Sequence, residues 1–473
     1  MRWHRLYSAI LIFSLAALVP PVSAQDSTTA DDQSFIESWL QETLSGAGRE
    51  ITITGFAGAL SSAATLEALT IADEEGIWFT LRDVRFEWSR LALLRRRLEV
   101  RDLSIGYIEL LRVPDGQAQV EPEDAQATEF ALPELPLNIN VQKVSAGEIR
   151  LGEELMGRET ALTLDGSALL DGGEARTDIE IRVLETSDTL TLGAGFSNET
   201  RVLAIDLSLS EAAGGMLTTL AGIPGAPEIE FTIQGEAPLS DYEARIALSS
   251  DGEPRFDGSV SIARIEGSER SYGFGAVLGG DLRPVLSEEM HPFFGGQSAF
   301  SLQGQTRDSG GVNISELNLS TEALLLTGAL SVDGTGWPEA FDIRGEIRSD
   351  EPIRLPSGGD TPVTIETLSL TARHEATQSE AWQADFSVGG FDNTAFQIDQ
   401  ASLSGSGTLS RGETRSVTAT IDLGASGLVA ADAALNTAIG SELTGTADLV
   451  WQEERPVTLS SLTLAAGDAT LDA

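Results

Sequence analysis

The chain contains no cysteine, which excludes disulfide bonds, thiolate metal centres and thiol nucleophiles. Lysine occurs once, at Lys143, so nearly all positive charge is arginine. Histidine is almost as scarce: His4, His291 and His374 are the complete set. General acid–base work needs an oriented partner for such a group. His291 stands beside Pro292 and Phe293-Phe294 in a predicted loop, and His374 closes a predicted strand, so neither is placed for catalysis. There is no Gly-x-Ser-x-Gly elbow, phosphate loop, His-Glu-x-x-His pair or calcium-binding repeat. The expectation is a non-enzyme with no catalytic, cofactor-binding or metal-binding residues. Acidic residues are plentiful, but they alternate with apolar ones and read as the solvated side of strands.

Basic charge is also in deficit. A formal charge of −43 and a pI near 4.2 count against nucleic acid, whose phosphates require Lys and Arg partners. The same charge favours a soluble exterior, while 41% hydrophobic residues make the chain too apolar for a disordered acidic tail. Beyond the N-terminus no apolar run is long enough to span a bilayer. At the N-terminus Arg2, His4 and Arg5 precede an apolar stretch from Leu6 to Val19 and then Val22-Ser23-Ala24. This is the layout of a signal peptide over residues 1–24, cut between Ala24 and Gln25, with an uncleaved membrane anchor as the alternative. Either exports the rest of the chain.

Residues 25–48 read as a polar linker and a capping helix. Phe35, Ile36, Trp39, Leu40 and Leu44 share one helical face, Ser34 and Glu37 form a capping box, and Gly46 is a stop. Strands dominate from residue 49 onward. Ile77, Phe79 and Leu81 alternate, as do Val84, Phe86 and Trp88. Leu98 and Val100 continue, but Leu103 and Ile105 have the opposite parity, which predicts a turn or bulge at Arg101-Asp102. Asp165-Gly166, Asp171-Gly172-Gly173, Asp251-Gly252, Asp257-Gly258 and Asp333-Gly334 read as turns of a long antiparallel meander. Short helices are expected over Glu211–Ala221 behind Ser210, within Pro284–Phe294 and over Asp432–Ile439 before Gly440. The segment Ile314–Gly334 is echoed from Ile365 and again at the C-terminus, too loosely for a solenoid of fixed period.

Many half-apolar strands must each bury one face, and the helices are too few to cover them. Closed sandwiches or barrels, a solenoid, or a sheet curled into an apolar trough would each solve this. Aromatics are only 6% of the chain, fewer than a packed sandwich core commonly carries. Small aliphatics suit acyl chains, which have no polar groups to satisfy.

The stretch from Glu50 to Pro114 carries a specific resemblance. Gly55-Phe56, Gly58, Leu60, Leu66, Leu69, Ile71, Asp73, Gly76, Trp78, Trp88, Leu93-Leu94, Leu98, Leu103, Ile108 and the Leu111-Arg112-Val113-Pro114 exit resemble the N-terminal region of the TamB family, within the AsmA-like group of bridge proteins. Leu220 to Pro224, Pro292 to Gly295 and Gly427 to Gly440 resemble the family's inter-strand helices. The resemblance implies a mostly β, elongated, curled antiparallel sheet forming a taco-like groove over residues 49–473, truncated before the C-terminal TamB domain. It implies a periplasmic envelope location, phospholipids as cargo, support of outer-membrane protein assembly, and contacts with a TamA-like outer-membrane barrel and the inner membrane. The candidate groove-lining residues are Leu203, Ile205, Leu207, Leu209, Ile229, Phe231, Ile233, Leu324, Leu326 and Leu330. A secreted β-rich structural or adhesive protein is the alternative. Arg95-Arg96-Arg97 reads as a charged turn between strands, with contact to anionic headgroups as the other reading.

Overall fold

The computed structural model describes residues 50–58, 62–113, 131–133, 138–268, 270–356, 362–412, 414–467 and 469–472. The signal segment with Ala24 and Gln25, the Ser34–Leu44 helix and Pro114 lie outside these residues. The described chain is mostly β with a few short helices, as expected. It divides into two units, residues 50–244 with 248–252, and residues 245–247 with 253–472. Neither unit closes into a barrel: among the described pairings its first and last strands are not joined to each other.

In the first unit the strands are β1 (Glu50–Thr54), β2 (Ala63–Asp73), β3 (Gly76–Trp88), β4 (Arg97–Leu110), β5 (Asn138–Leu151), β6 (Thr160–Asp171), β7 (Glu174–Val183), β8 (Thr189–Ser197), β9 (Val202–Glu211), β10 (Ile229–Pro238) and β11 (Asp241–Ser250). Each of β1 to β10 pairs with its sequence neighbour, and every pair is antiparallel except one. Strands β4 and β5 run parallel, with Leu98 beside Ile139 and Leu110 beside Leu151. This corrects the simple meander. A parallel pair needs a crossover of a dozen residues or more, and here residues 111–137 supply it. Asn198 holds that crossover: its Oδ1 accepts from Leu132 N at 2.8 Å and its Nδ2 donates to Leu132 O at 3.1 Å.

The predicted break at Arg101-Asp102 is a bulge inside a continuous β4. Glu87 faces Asp102 and Trp88 faces Val100, so Arg101 is the extra residue. A second irregularity runs across four strands. Leu66 and Leu69 on β2, Leu81 and Val84 on β3, Ile105 and Ile108 on β4, and Ala146 and Ile149 on β5 are each three apart and lie beside one another. Strict alternation would send one of each pair to the opposite face. Instead two successive residues point outward on β3, Arg82-Asp83, both exposed. Asp83 adopts φ +54°, and a Cβ on Gly106 opposite would lie 2.8 Å from the Asp83 Cβ. The shift is absorbed between β5 and β6, and β6 then alternates regularly.

Two predicted turns are strand interiors. Gly166 lies within β6, and Gly258 within β12 of the second unit. A Cβ on Gly166 would approach the Asp178 carbonyl oxygen to 2.7 Å, and one on Gly258 would collide with the Val277 carbonyl. These glycines serve close backbone approach rather than a turn. The helix expected from Glu211 is only Met216–Leu220, because Glu211 ends β9. Its carboxylate is buried and accepts from Leu217 N and Thr218 N, both at 2.7 Å, and from Thr218 Oγ1 at 2.6 Å. A buried carboxylate thus satisfies the free N–H groups that open the helical turn.

The second unit comprises β12 (Glu253–Arg264), β13 (Tyr272–Gly280), β14 (Ser298–Thr306), β15 (Val312–Ser320), β16 (Leu324–Val332), β17 (Pro338–Arg354), β18 (Thr364–Glu375), β19 (Ala381–Asp392), β20 (Phe396–Arg411), β21 (Arg415–Ser426), β22 (Val429–Ala430), β23 (Glu442–Gln452), β24 (Thr458–Ala466) and β25 (Ala469–Asp472). All its pairs are antiparallel, and the short β22 continues the edge of β20 where β21 ends, so β21 pairs onward with β23. The three echoed segments fall in this unit, on β15–β16, β18 and β24–β25. Short helical turns occur where expected, at Arg283–Val285, Glu288–Met290, His291–Phe294 and Ala433–Ile439. Asp432 caps the last, accepting from Leu435 N at 2.8 Å.

Phe293, from the His291–Phe294 turn, joins Ala323, Ile347, Ile353, Ile365 and Val388 in a buried cluster. Ile365 is 1% exposed. Ile365→Ala is expected to lower the stability of the second unit by about 2–5 kcal/mol in urea denaturation. Leu325→Ala, at a half-exposed position, should change it by about 0.5 kcal/mol or less.

An apolar sheet face as candidate functional site

Residues directly opposite each other on paired strands project from the same face of a sheet, so the registers give the composition of each face. In the first unit Leu66, Val84, Ile105, Ala146, Leu164, Ile181, Leu190, Leu209 and Phe231 form one row across nine strands. The next row continues through Ile179, Leu192, Leu207 and Ile233. Ile205 and Leu203 fall beside Ala194 and Phe196 in the rows after that. Six of the candidate residues in this unit are therefore neighbours on one face. The seventh, Ile229, lies at the covered end, where it pairs with Glu211 and is buried.

In the second unit Phe300, Leu319, Leu326, Gly345, Leu370, Phe386, Leu403, Leu423, Gly445 and Leu464 form a row across ten strands. Leu330 lies two positions along, between Ile314 and Phe341. Leu324 pairs with Ile347 and packs against the Phe293 cluster. Phe386 and Leu403 remain 37% and 42% exposed, so this face is only locally covered. Nine strands at about 4.8 Å spacing and some five residues of each give an apolar area on the order of 700 Å². That exceeds what a monomer commonly leaves bare.

The opposite face is a polar ladder. Thr420 and Ser461 hydroxyls donate to Asp448 at 2.7 and 2.6 Å, Thr446 donates to Asp422 at 2.7 Å, and Gln234 donates to Asp206 at 3.1 Å. The Ser461 and Thr420 hydrogen bonds hold the Asp448 carboxyl below the usual carboxylate range. A cavity of about 700 Å³ lies on this side, near Asp342, Arg373, Glu375 and Gln383. Among the described residues no group of His, Asp and Glu is placed to hold a metal ion, and no helix is long and apolar enough to cross a membrane.

One end of the second unit's apolar face is closed by side chains. Trp337 stacks on Trp451 with ring centroids 6.0 Å apart, and the Arg415 guanidinium lies 5.7 Å from the Trp337 ring. Arg415 also donates to Thr335 Oγ1 at 2.7 Å. Arg411 pairs with Asp333 and, at 3.4 Å, with Glu339, which Arg307 contacts at 2.6 Å. Strands β17 and β23 are five pairings apart, about 24 Å at normal strand spacing. Side chains of the Asp333–Trp337 turn nevertheless meet those of Arg411, Arg415 and Trp451 from β20, β21 and β23.

Beneath it, Trp382 donates Nε1–H to Thr418 O at 3.1 Å, and a Cβ on Gly405 would sit 3.1 Å from its ring. His374 is buried against Phe341 and its Nδ1 lies 2.9 Å from Ala381 O, a carbonyl that can only accept. His291 likewise directs Nε2 at Arg283 O and Leu286 O, at 2.8 and 3.1 Å. Both histidines tie backbone.

Two residues of the Glu50–Pro114 stretch form a structural clamp. Asp73 and Arg112, from distant parts of the motif, pair through Nη1 to Oδ2 at 2.8 Å, and Arg112 Nη2 donates to Gly76 O at 3.2 Å. This guanidinium holds the Asp73 carboxyl below its usual range. Gly55 and Gly58 have φ of +69° and +78°, and a Cβ on Gly55 would collide with Glu67. Phe56 is half-buried. Trp78 is the bulged residue opposite Ile71 and Ala72 and is buried; Trp88 lies on the apolar face beside Val100; Leu94 is 83% exposed. Sequence reasoning missed the Trp337–Trp451 closure, whose only signal was three of the seven tryptophans at strand ends. Comparison with family models, curated proteins and solved structures gives no match. Replacing Trp337 and Trp451 by Ala, singly and together, is expected to give a coupling of about 0.5–1.5 kcal/mol in a denaturation double-mutant cycle.

Proposed function

We propose that the chain is an envelope bridge protein of the TamB type, exported to the periplasm, whose apolar sheet face shields phospholipid acyl chains passing between membranes. The observation that supports this reading is the apolar face of each unit, with Leu207 in a row across the first and Leu326 in a row across the second. An acyl chain laid on such a face removes apolar surface from water on both partners, about 0.8 kcal/mol for each CH₂ fully buried. Headgroups remain in solvent, so no catalytic residue is required. Contact with the inner membrane and with a TamA-like barrel belongs to the same proposal.

Photo-crosslinkers at Leu207 and Leu326 are expected to capture phospholipid in cells several-fold above Ser208, which lies between Thr191 and Thr232 on the polar face. Equal capture at all three positions, or capture of protein alone, would overturn the lipid reading. Leu207→Arg and Leu326→Arg should abolish lipid binding while circular dichroism stays that of the parent β protein.

A further inference from the structure

The connection from β3 to β4 makes a helical turn at Arg90–Leu93. It carries the two most exposed large hydrophobic residues described, Leu94 at 83% and Leu91 at 76%. Four of the eight residues from Arg90 to Arg97 are arginine, in a chain whose formal charge is −43. Arg95, Arg96 and Arg97 are exposed and make no ion pair among the described residues. Elsewhere arginines commonly pair with a carboxylate two residues away on the same strand, as Arg85 does with Glu87, Arg150 with Glu148 and Arg344 with Asp342. The tip is also fixed. Ala92 is buried, Arg95 N donates to Ala92 O at 2.8 Å, Ser89 N donates to Glu99 O at 2.9 Å, and Asn138 N donates to Arg96 O at 2.9 Å.

We infer that this tip docks on an anionic lipid bilayer, with Leu91 and Leu94 at the boundary of headgroups and acyl chains and Arg95, Arg96 and Arg97 on headgroup phosphates. A nucleic acid would satisfy the arginines and leave both leucines in water, whereas a bilayer surface satisfies both. The remaining negative charge of the protein is screened beyond a Debye length of about 8 Å at physiological salt. The inference is independent of cargo, because the tip meets headgroups whether or not the apolar face carries lipid.

The absence of native cysteine makes the test direct. Leu94→Cys in the full chain gives one attachment point for an environment-sensitive nitrobenzoxadiazole label, and Ser404→Cys on the exposed polar face is the control. Vesicles of phosphatidylcholine mixed with phosphatidylglycerol are expected to shift the Leu94→Cys emission to the blue and brighten it. Pure phosphatidylcholine should do so far less, and the control label should not respond. Arg95→Gln combined with Arg97→Gln should weaken the response about 25-fold, at about five-fold for each arginine. No shift on mixed vesicles overturns the inference even if the protein binds them elsewhere, because the label reports the tip alone. An equal shift on neutral vesicles, or the same shift with single-stranded RNA, overturns it too.

Discussion

Cross-strand register is the constraint on which the rest of this structure depends. Side chains alternate along a strand, so one residue of slip in any pairing would carry a whole apolar set to the other side. Here the set stays on one side across nine strands in one unit and ten in the other, although the spacing of apolar residues is not uniform. Where it changes from two to three, as at Leu81 and Val84, the neighbouring strands change with it. The shift is absorbed where a regular strand takes over, at β6.

The polar side is organised in the opposite way. Several of its carboxylates are matched to hydroxyls, amides and arginines on the same or the next strand. The apolar side has cover only at particular places. Phe293 lies over the ends of β16 to β19, the Glu211-bound helical turn closes the end of β9, and Trp337 reaches Trp451 across the end of the second unit. Between these covers aliphatic side chains remain half exposed.

Most of the strand content was legible in the sequence because period-two alternation is a strong local signal. The bulge at Arg101 was legible for the same reason: a change of parity in mid-strand has few physical solutions. Gly166 and Gly258 were misread because Asp-Gly is equally suited to a turn and to a close approach between backbones, and only the neighbouring strand decides. Glu211 was misread as a helix start because its role is set by N–H groups six and seven residues later. Of the candidate site, the parity of Leu203 to Leu209 and of Leu324 to Leu330 could be read directly. Which strands lay beside them could not, since pairing is non-local. The Trp337–Trp451 contact joins residues far apart in the chain and has no local signature.

The parallel seam between β4 and β5 bears on how the first unit assembles. Every other pairing from β1 to β10 joins strands adjacent in sequence and antiparallel, so most form as hairpins with little loop to close. At the seam the chain must first bring together segments separated by residues 111–137, and loop-closure entropy makes that the slower contact to form. The unit is thus two locally folding ribbons, β1–β4 and β5–β10, whose apolar rows become continuous only when the seam closes. Until then each ribbon presents a bare edge beside its apolar side. Completion of this pairing is the step at which the unit trades aggregation risk for a finished surface.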